Sequence, residues 1–229
     1  DSTLQWVTNN GDSTTNRLVT SDSLKGLNEF INGSVTIGDT VQGTKVFVFF
    51  GNSVTAGYNL PSPTTERFSY LTSRTFGAVE LNRGRSGTRL THSGVSSDSC
   101  MIDRIPLIPT YASPYAAIFF DYGLNDDQAG VDTTTFKTSY NRVVDTCIAR
   151  GWPTNKIYLL APSYNWYSLT PNTASFARAT RTVAEGKSTQ FVDVYNYMID
   201  NGGTSLIQSD SLHPNVLGNE VTHQAISQH

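Results

Sequence analysis

The chain has 229 residues, enough for one sizeable α/β domain with a small appendage. A formal net charge of -3 and only 15% charged residues exclude the basic surface that nucleic acid or an anionic membrane would need as partner. The surface implied by abundant Gly, Ser, Thr and Asn is polar but uncharged, a composition common in extracellular and virion proteins, and no apolar run has the length of a membrane span.

Residues 1–44 differ from the rest. They are rich in Thr, Ser, Asn, Asp and Gly, and their apolar residues fall in short β-like pieces (4–7 and 34–37) between turn signals such as Asn10-Gly11 and Gly38-Asp39. A small β-rich extension is expected here. Gly11-Asp12-Ser13 lies in this segment, but polar Asn9-Asn10 precede it rather than a buried strand, so it is not expected to be catalytic.

The main domain, 45–229, opens on Val46-Phe47-Val48-Phe49-Phe50. Five consecutive β-branched or aromatic residues predict a central parallel strand covered on both faces. Gly51 permits a sharp turn at its end, and Asn52-Ser53 follow at once. Ligands of open α/β sheets bind beyond the carboxyl ends of strands, which makes Ser53 a candidate nucleophile. After a Pro61/Pro63 loop, a helix is expected over 66–76, with Phe68, Leu71 and Phe76 facing inward and Gly77 ending it. Residues 79–81 read as a short strand leading into the glycine-rich loop 82–88, and 97–107 as helix or irregular chain.

Residues 115–121, YAAIFFD, are a second buried strand, ending in Tyr122-Gly123-Leu124-Asn125-Asp126. Residues 133–150 carry Phe136, Tyr140, Val143, Val144, Cys147 and Ile148 at helical spacing. A strand at 156–161, a loop at 162–172 with Tyr164, Trp166 and Tyr167, a helix to about 185, a strand at 190–194 and a short helix near Tyr197 follow. Asp210-Ser211-Leu212-His213-Pro214-Asn215 then precedes a closing helix over 216–227. Alternating strands and helices predict a parallel sheet with helices on both faces.

Four loops therefore hold polar clusters: Gly51-Asn52-Ser53; the 82–88 loop with Gly87; Gly123-Leu124-Asn125-Asp126; and Asp210-Ser211-Leu212-His213. In this order they resemble the four blocks of the SGNH hydrolases, the GDSL esterase/lipase family. The resemblance covers 45–229, with Asn52 standing where Asp is commoner. It implies a three-layer α/β/α sandwich of flavodoxin-like type and a serine esterase. Ser53, Asp210 and His213 would be the catalytic set. His213 would take the Ser53 proton and Asp210 would hold its imidazole. Pro214 disfavours helical backbone at His213, keeping the turn out of the following helix. The resemblance further implies an oxyanion hole formed by the Ser53 and Gly87 N–H groups and the Asn125 side chain. Ser53 is followed by Val54-Thr55, so the Gly-x-Ser-x-Gly elbow of another hydrolase fold is not matched.

Substrate signals are thinner. Tyr58, Tyr122 and Trp166 stand in loops near the expected site, and aromatic faces in polar loops suit sugar stacking, although they also serve as packing residues. Arg83, Arg85 and Arg89 crowd the second loop, as a solvated face or as ligands for an acidic sugar. Residues 7–16, VTNNGDSTTN, resemble a phrase that recurs near the start of phage tail-fibre and tail-spike proteins. With that resemblance, the expectation is an O-acetyl esterase acting on a surface polysaccharide, extracellular or virion-associated, and a homo-oligomer through the N-terminal segment. A non-catalytic glycan-binding or structural tail module, or a lipase or thioesterase of the same fold, are the alternatives. No cofactor is expected. No metal site is expected either, because Cys100 and Cys147 lack CxxC or His-rich context and the four histidines are scattered. Those cysteines could pair or stay free.

Overall fold

Five parallel strands supply the frame of the larger part of the chain. A computed structural model of the protein describes residues 5–7, 17–19, 45–92 and 100–229. The chain divides into two compact units, Asp1–Thr44 and Lys45–His229. In the first, β1 (Gln5–Val7) and β2 (Arg17–Val19) pair antiparallel, with Trp6 opposite Leu18. The expected β-like piece at 34–37 and the Gly11-Asp12-Ser13 triplet lie outside the described residues.

In the second unit, β3 (Lys45–Gly51), β4 (Ala78–Gly84), β5 (Tyr115–Asp121), β6 (Ile157–Leu160) and β7 (Gln190–Val192) form one parallel sheet in the order β4-β3-β5-β6-β7. Taken in chain order, that is second, first, third, fourth, fifth, the flavodoxin-like arrangement. Its topological switch point lies between β3 and β5.

The helices are α1 (Ser53–Ala56), α2 (Pro63–Glu66), α3 (Phe68–Thr75), α4 (Met101–Arg104), α5 (Leu124–Gln128), α6 (Thr133–Ala149), α7 (Thr173–Lys187), α8 (Val194–Asp200) and α9 (Val216–Ser227). Because alternate strand residues point to opposite faces, β3 and β5 feed two cores at once. On one face Phe47, Phe49 and Phe119 pack with Phe68 of α3, Met198 of α8 and Val221 of α9. Phe49 and Phe119 stack with centroids 4.5 Å apart. On the other, Phe50 stacks on Phe120, the Arg104 guanidinium lies over Phe50, and the Tyr140 hydroxyl donates to the Phe120 carbonyl. All five of Val46–Phe50 are at most 9% exposed, as a doubly covered strand requires. Among the described residues no helix is long and apolar enough to cross a membrane.

Three expectations shift. The helix expected over 66–76 is two helices, broken at Arg67, whose backbone is extended (φ -70°, ψ 147°). The break lets its guanidinium form a two-pronged bond with Glu80 of β4. Phe76 is 40% exposed rather than inward-facing, although its edge still meets Phe47. The strand expected at 79–81 runs from Ala78 to Gly84, because its pairing with β3 continues through Phe49/Asn82, Phe50/Arg83 and Gly51/Gly84. Both cysteines are free and buried.

Candidate active site

Strand β3 delivers the serine. Gly51 ends the strand at a point where an added Cβ would lie 1.9 Å from Thr55 Oγ1, so only glycine lets α1 fold back this tightly. Asn52 caps α1, its Oδ1 accepting the Val54 N–H at 2.8 Å. An Asp would cap equally well, so this departure from the commoner block leaves the turn intact. The Asn52 Nδ2, buried, finds no acceptor among the described residues. Ser53 is then the first residue of α1, where a backbone N–H has no intrahelical acceptor.

The candidate base, His213, arrives from 160 residues away. Ser53 Oγ lies 2.8 Å from His213 Nε2, and His213 Nδ1 lies 2.6 Å from Asp210 Oδ2. Asp210 is oriented in turn by its own loop, its Oδ1 accepting the N–H groups of Leu212 (2.9 Å) and His213 (3.0 Å). Ser211 adopts φ +67°, in the left-handed region, which tightens the chain enough for residues 210 and 213 to meet. Burial raises the Asp210 pKa, but the hydrogen bonds from His213 and Leu212 outweigh it and hold the carboxyl below its ordinary value. An ionised Asp210 keeps the proton on Nδ1 and leaves Nε2 free to accept from the serine.

The second loop is fastened to the same place. Arg85 N–H and Thr88 Oγ1 both donate to the Gly51 carbonyl, at 3.0 and 3.1 Å. Asn125 Nδ2, from α5 at the end of β5, donates one hydrogen to Thr88 O at 2.8 Å, leaving its second hydrogen for another acceptor. Gly87 sits between these anchors at φ +77°, with open space where a Cβ would stand. Its conformation, more than crowding, calls for glycine.

Two residues without a role in the sequence reading brace this geometry. Asp126, buried next to Asn125, accepts from Leu90 N, Thr91 N and Thr91 Oγ1, tying α5 to the loop that carries Gly87. Asn82 donates to the Thr55 carbonyl and accepts from Gly84 N, binding α1 to β4. The sequence signal for Asp126 was its place beside Asn125. Nothing local marks Asn82, which lies inside β4, two residues before its end.

The aromatic candidates separate. Tyr58 is half exposed, with its ring centroid 4.6 Å from that of His213. Trp166 is 56% exposed, and its backbone N–H donates to the Ser211 carbonyl, which sets the 162–172 loop against the histidine turn. Tyr122 corrects the reading: it is fully buried and cannot present a face to substrate. It is the residue after Asp121, so strand alternation sends it into the core beside Phe120 rather than out over the site. Burial also raises its phenol pKa.

The comparisons with known proteins bear on this geometry. The model of the GDSL-like lipase/acylhydrolase family matches residues 49–221. The chain belongs to that family. It is thus an ester-hydrolysing enzyme of the GDSL type. Solved structures agree in fold at low identity. A lipolytic G-D-S-L family member from Veillonella parvula superposes with a TM-score of 0.65 at 16% identity, over 81% of this chain and 97% of that one. A carbohydrate acetylesterase family member from Sinorhizobium meliloti gives 0.63 at 17%, over 81% and 96%. The esterase EstA from Pseudoalteromonas sp. gives 0.62 at 18%, over 80% and 95%. Comparison with curated protein sequences finds no match.

Proposed function

We propose that this GDSL hydrolase is a carbohydrate O-acetylesterase that works through an acyl-serine intermediate. The observation that carries the reading is the continuous relay Ser53–His213–Asp210, at 2.8 and 2.6 Å. His213 takes the Ser53 proton as Oγ attacks the ester carbonyl, then returns it to the leaving alcohol. The oxyanion accepts from the N–H groups of Ser53 and Gly87 and from the second hydrogen of Asn125. Water repeats the sequence on the acyl-enzyme and releases the acid.

Support for a sugar as the alcohol comes from two exposed aromatics that offer apolar faces for a pyranose: Tyr58, whose ring lies beside His213, and Trp166, whose backbone is bonded to the histidine turn. The fold neighbour from Sinorhizobium meliloti, a carbohydrate acetylesterase family member, points the same way. The tail-fibre-like phrase at residues 7–16 extends the proposal to a secreted or virion-borne enzyme meeting polysaccharide outside the cell.

The test is hydrolysis of p-nitrophenyl acetate, butyrate and octanoate by wild type and Ser53→Ala, with acetate release from an O-acetylated polysaccharide alongside. Wild type should prefer acetate, and Ser53→Ala should lose at least ~10³-fold in kcat. A preference for octanoate would replace the deacetylase reading with a lipase. Folded protein inert on every ester would favour a glycan-binding module.

A further inference from the structure

We propose that His92, Cys100 and Asp103 form a binding site for one divalent transition ion of the zinc type. The three lie apart from the Ser53 relay, at the far end of the loop that carries Gly87, and ester hydrolysis makes no use of them. His92 Nδ1 is 3.1 Å from Asp103 Oδ1, Cys100 Sγ is 3.2 Å from Asp103 Oδ2, and Sγ and Nδ1 are 3.9 Å apart. A tetrahedral zinc, with bonds of about 2.0–2.3 Å to nitrogen, oxygen and sulfur, separates its ligand atoms by roughly 3.3–3.7 Å. The two short contacts end on different oxygens of Asp103; with one donor atom taken from each residue the three lie within 4.8 Å of one another, so rotation of the side chains brings them to the spacing of one tetrahedral face.

The donor set fits the ion. Imidazole, thiolate and carboxylate together suit zinc and cobalt rather than magnesium or calcium, which take oxygen ligands. Backbone bonds hold the frame: Met101 N donates to Arg89 O at 2.8 Å and Ile102 N to Leu90 O at 3.3 Å. Cys100 is fully buried, Asp103 is partly covered, and the His92 side chain is 62% exposed. An ion therefore enters from the His92 side and keeps a water there as fourth ligand. On binding, the Cys100 thiol gives its proton to solvent and the thiolate takes the ion. The spacing His-x7-Cys-x2-Asp matches no common metal motif, which is why sequence alone does not show the site.

The ion clamps the end of the 85–92 loop to α4 without touching Ser53. Its expected effect is on stability. The experiment uses the full chain freed of metal by chelation, titrated with Co²⁺ and then Zn²⁺, and repeated in a His213→Ala background to remove binding at the relay. One equivalent of Co²⁺ should produce a thiolate-to-cobalt charge-transfer band and strong tetrahedral visible bands, both erased by Zn²⁺. The melting midpoint should rise by about 5–10 °C at a hundredfold excess of metal over its Kd. His92→Ala, at an exposed side chain, and Asp103→Ala should each weaken binding more than about tenfold, and Cys100→Ser should abolish the charge-transfer band. Cobalt bound without that band, or bound equally well by His92→Ala and Asp103→Ala, would overturn the proposal.

Discussion

Two aspartates, one exposed at the site and one buried in the sheet, show how differently the same side chain is used at single positions. Asp210 is surrounded by donors, and its carboxylate stays ionised below the usual range because their bonds outweigh burial. Its contribution to stability is full above the unfolded value of about 3.9 and is lost as pH falls through its lower folded value. Asp210→Asn should retain the fold at neutral pH but lower kcat by about 10³–10⁴, because the amide no longer selects the proton position on Nδ1. Steady-state kinetics with circular dichroism on the same sample checks both halves. Asp121 is the opposite case. It is buried at the end of β5, where Thr55 Oγ1 donates to it at 2.8 Å, and burial pushes its pKa up to about 6. The folded state therefore holds the proton more tightly than the unfolded chain. Stability from this group falls as pH rises from about 4 to 6, then stays level. The shift from 3.8 to about 6 corresponds to about 3 kcal/mol at most. Asp121→Asn should flatten that slope, raising stability at pH 7 relative to wild type and leaving it nearly unchanged at pH 4. Urea melts at the two pH values measure it.

Elements become functional here through how closely their backbones approach. Strand β4 touches α1 at Gly84, where an added Cβ would stand 2.5 Å from Ala56 N and 2.8 Å from Thr55 C. Both are backbone atoms, so no side chain can swing aside. Gly84→Ala should therefore displace α1, and Ser53 with it, destabilising the protein by about 1–3 kcal/mol and reducing kcat more than it changes KM. Urea unfolding and esterase kinetics on one preparation separate the two effects. The same approach explains what could be read in advance. Strands β3 and β5 were legible because their runs are long, apolar and β-branched or aromatic, and α6 and α9 end within a residue of where periodicity and capping place them. The four polar blocks were legible as residue types in order. What stayed hidden depended on partners distant in sequence or on where a strand's alternation stops. The helix break at Arg67 answers to Glu80, the extra length of β4 answers to β3, and the burial of Tyr122 answers to strand alternation beyond Asp121.

At the scale of the whole molecule, the residues proposed for catalysis are confined to one unit. All five strands of the parallel sheet, the Ser53–His213–Asp210 relay and the Gly87 and Asn125 loops lie within Lys45–His229. The switch point between β3 and β5 is what makes this sufficient. Ser53 leaves one central strand, Asn125 leaves its neighbour, and α9 carries its preceding His213 turn back over the same edge. A protein of residues 45–229 should therefore fold alone and hydrolyse p-nitrophenyl acetate with kcat within about threefold of the full chain, a difference of less than 1 kcal/mol in barrier. The two proteins should diverge, if the N-terminal unit serves delivery to a polymer, in acetate release from immobilised polysaccharide, where the full chain gains from a second point of attachment. Equal rates on both substrates would leave Asp1–Thr44 without a part in catalysis. Loss of p-nitrophenyl acetate hydrolysis in a folded truncation would show instead that the second unit's chemistry depends on the first.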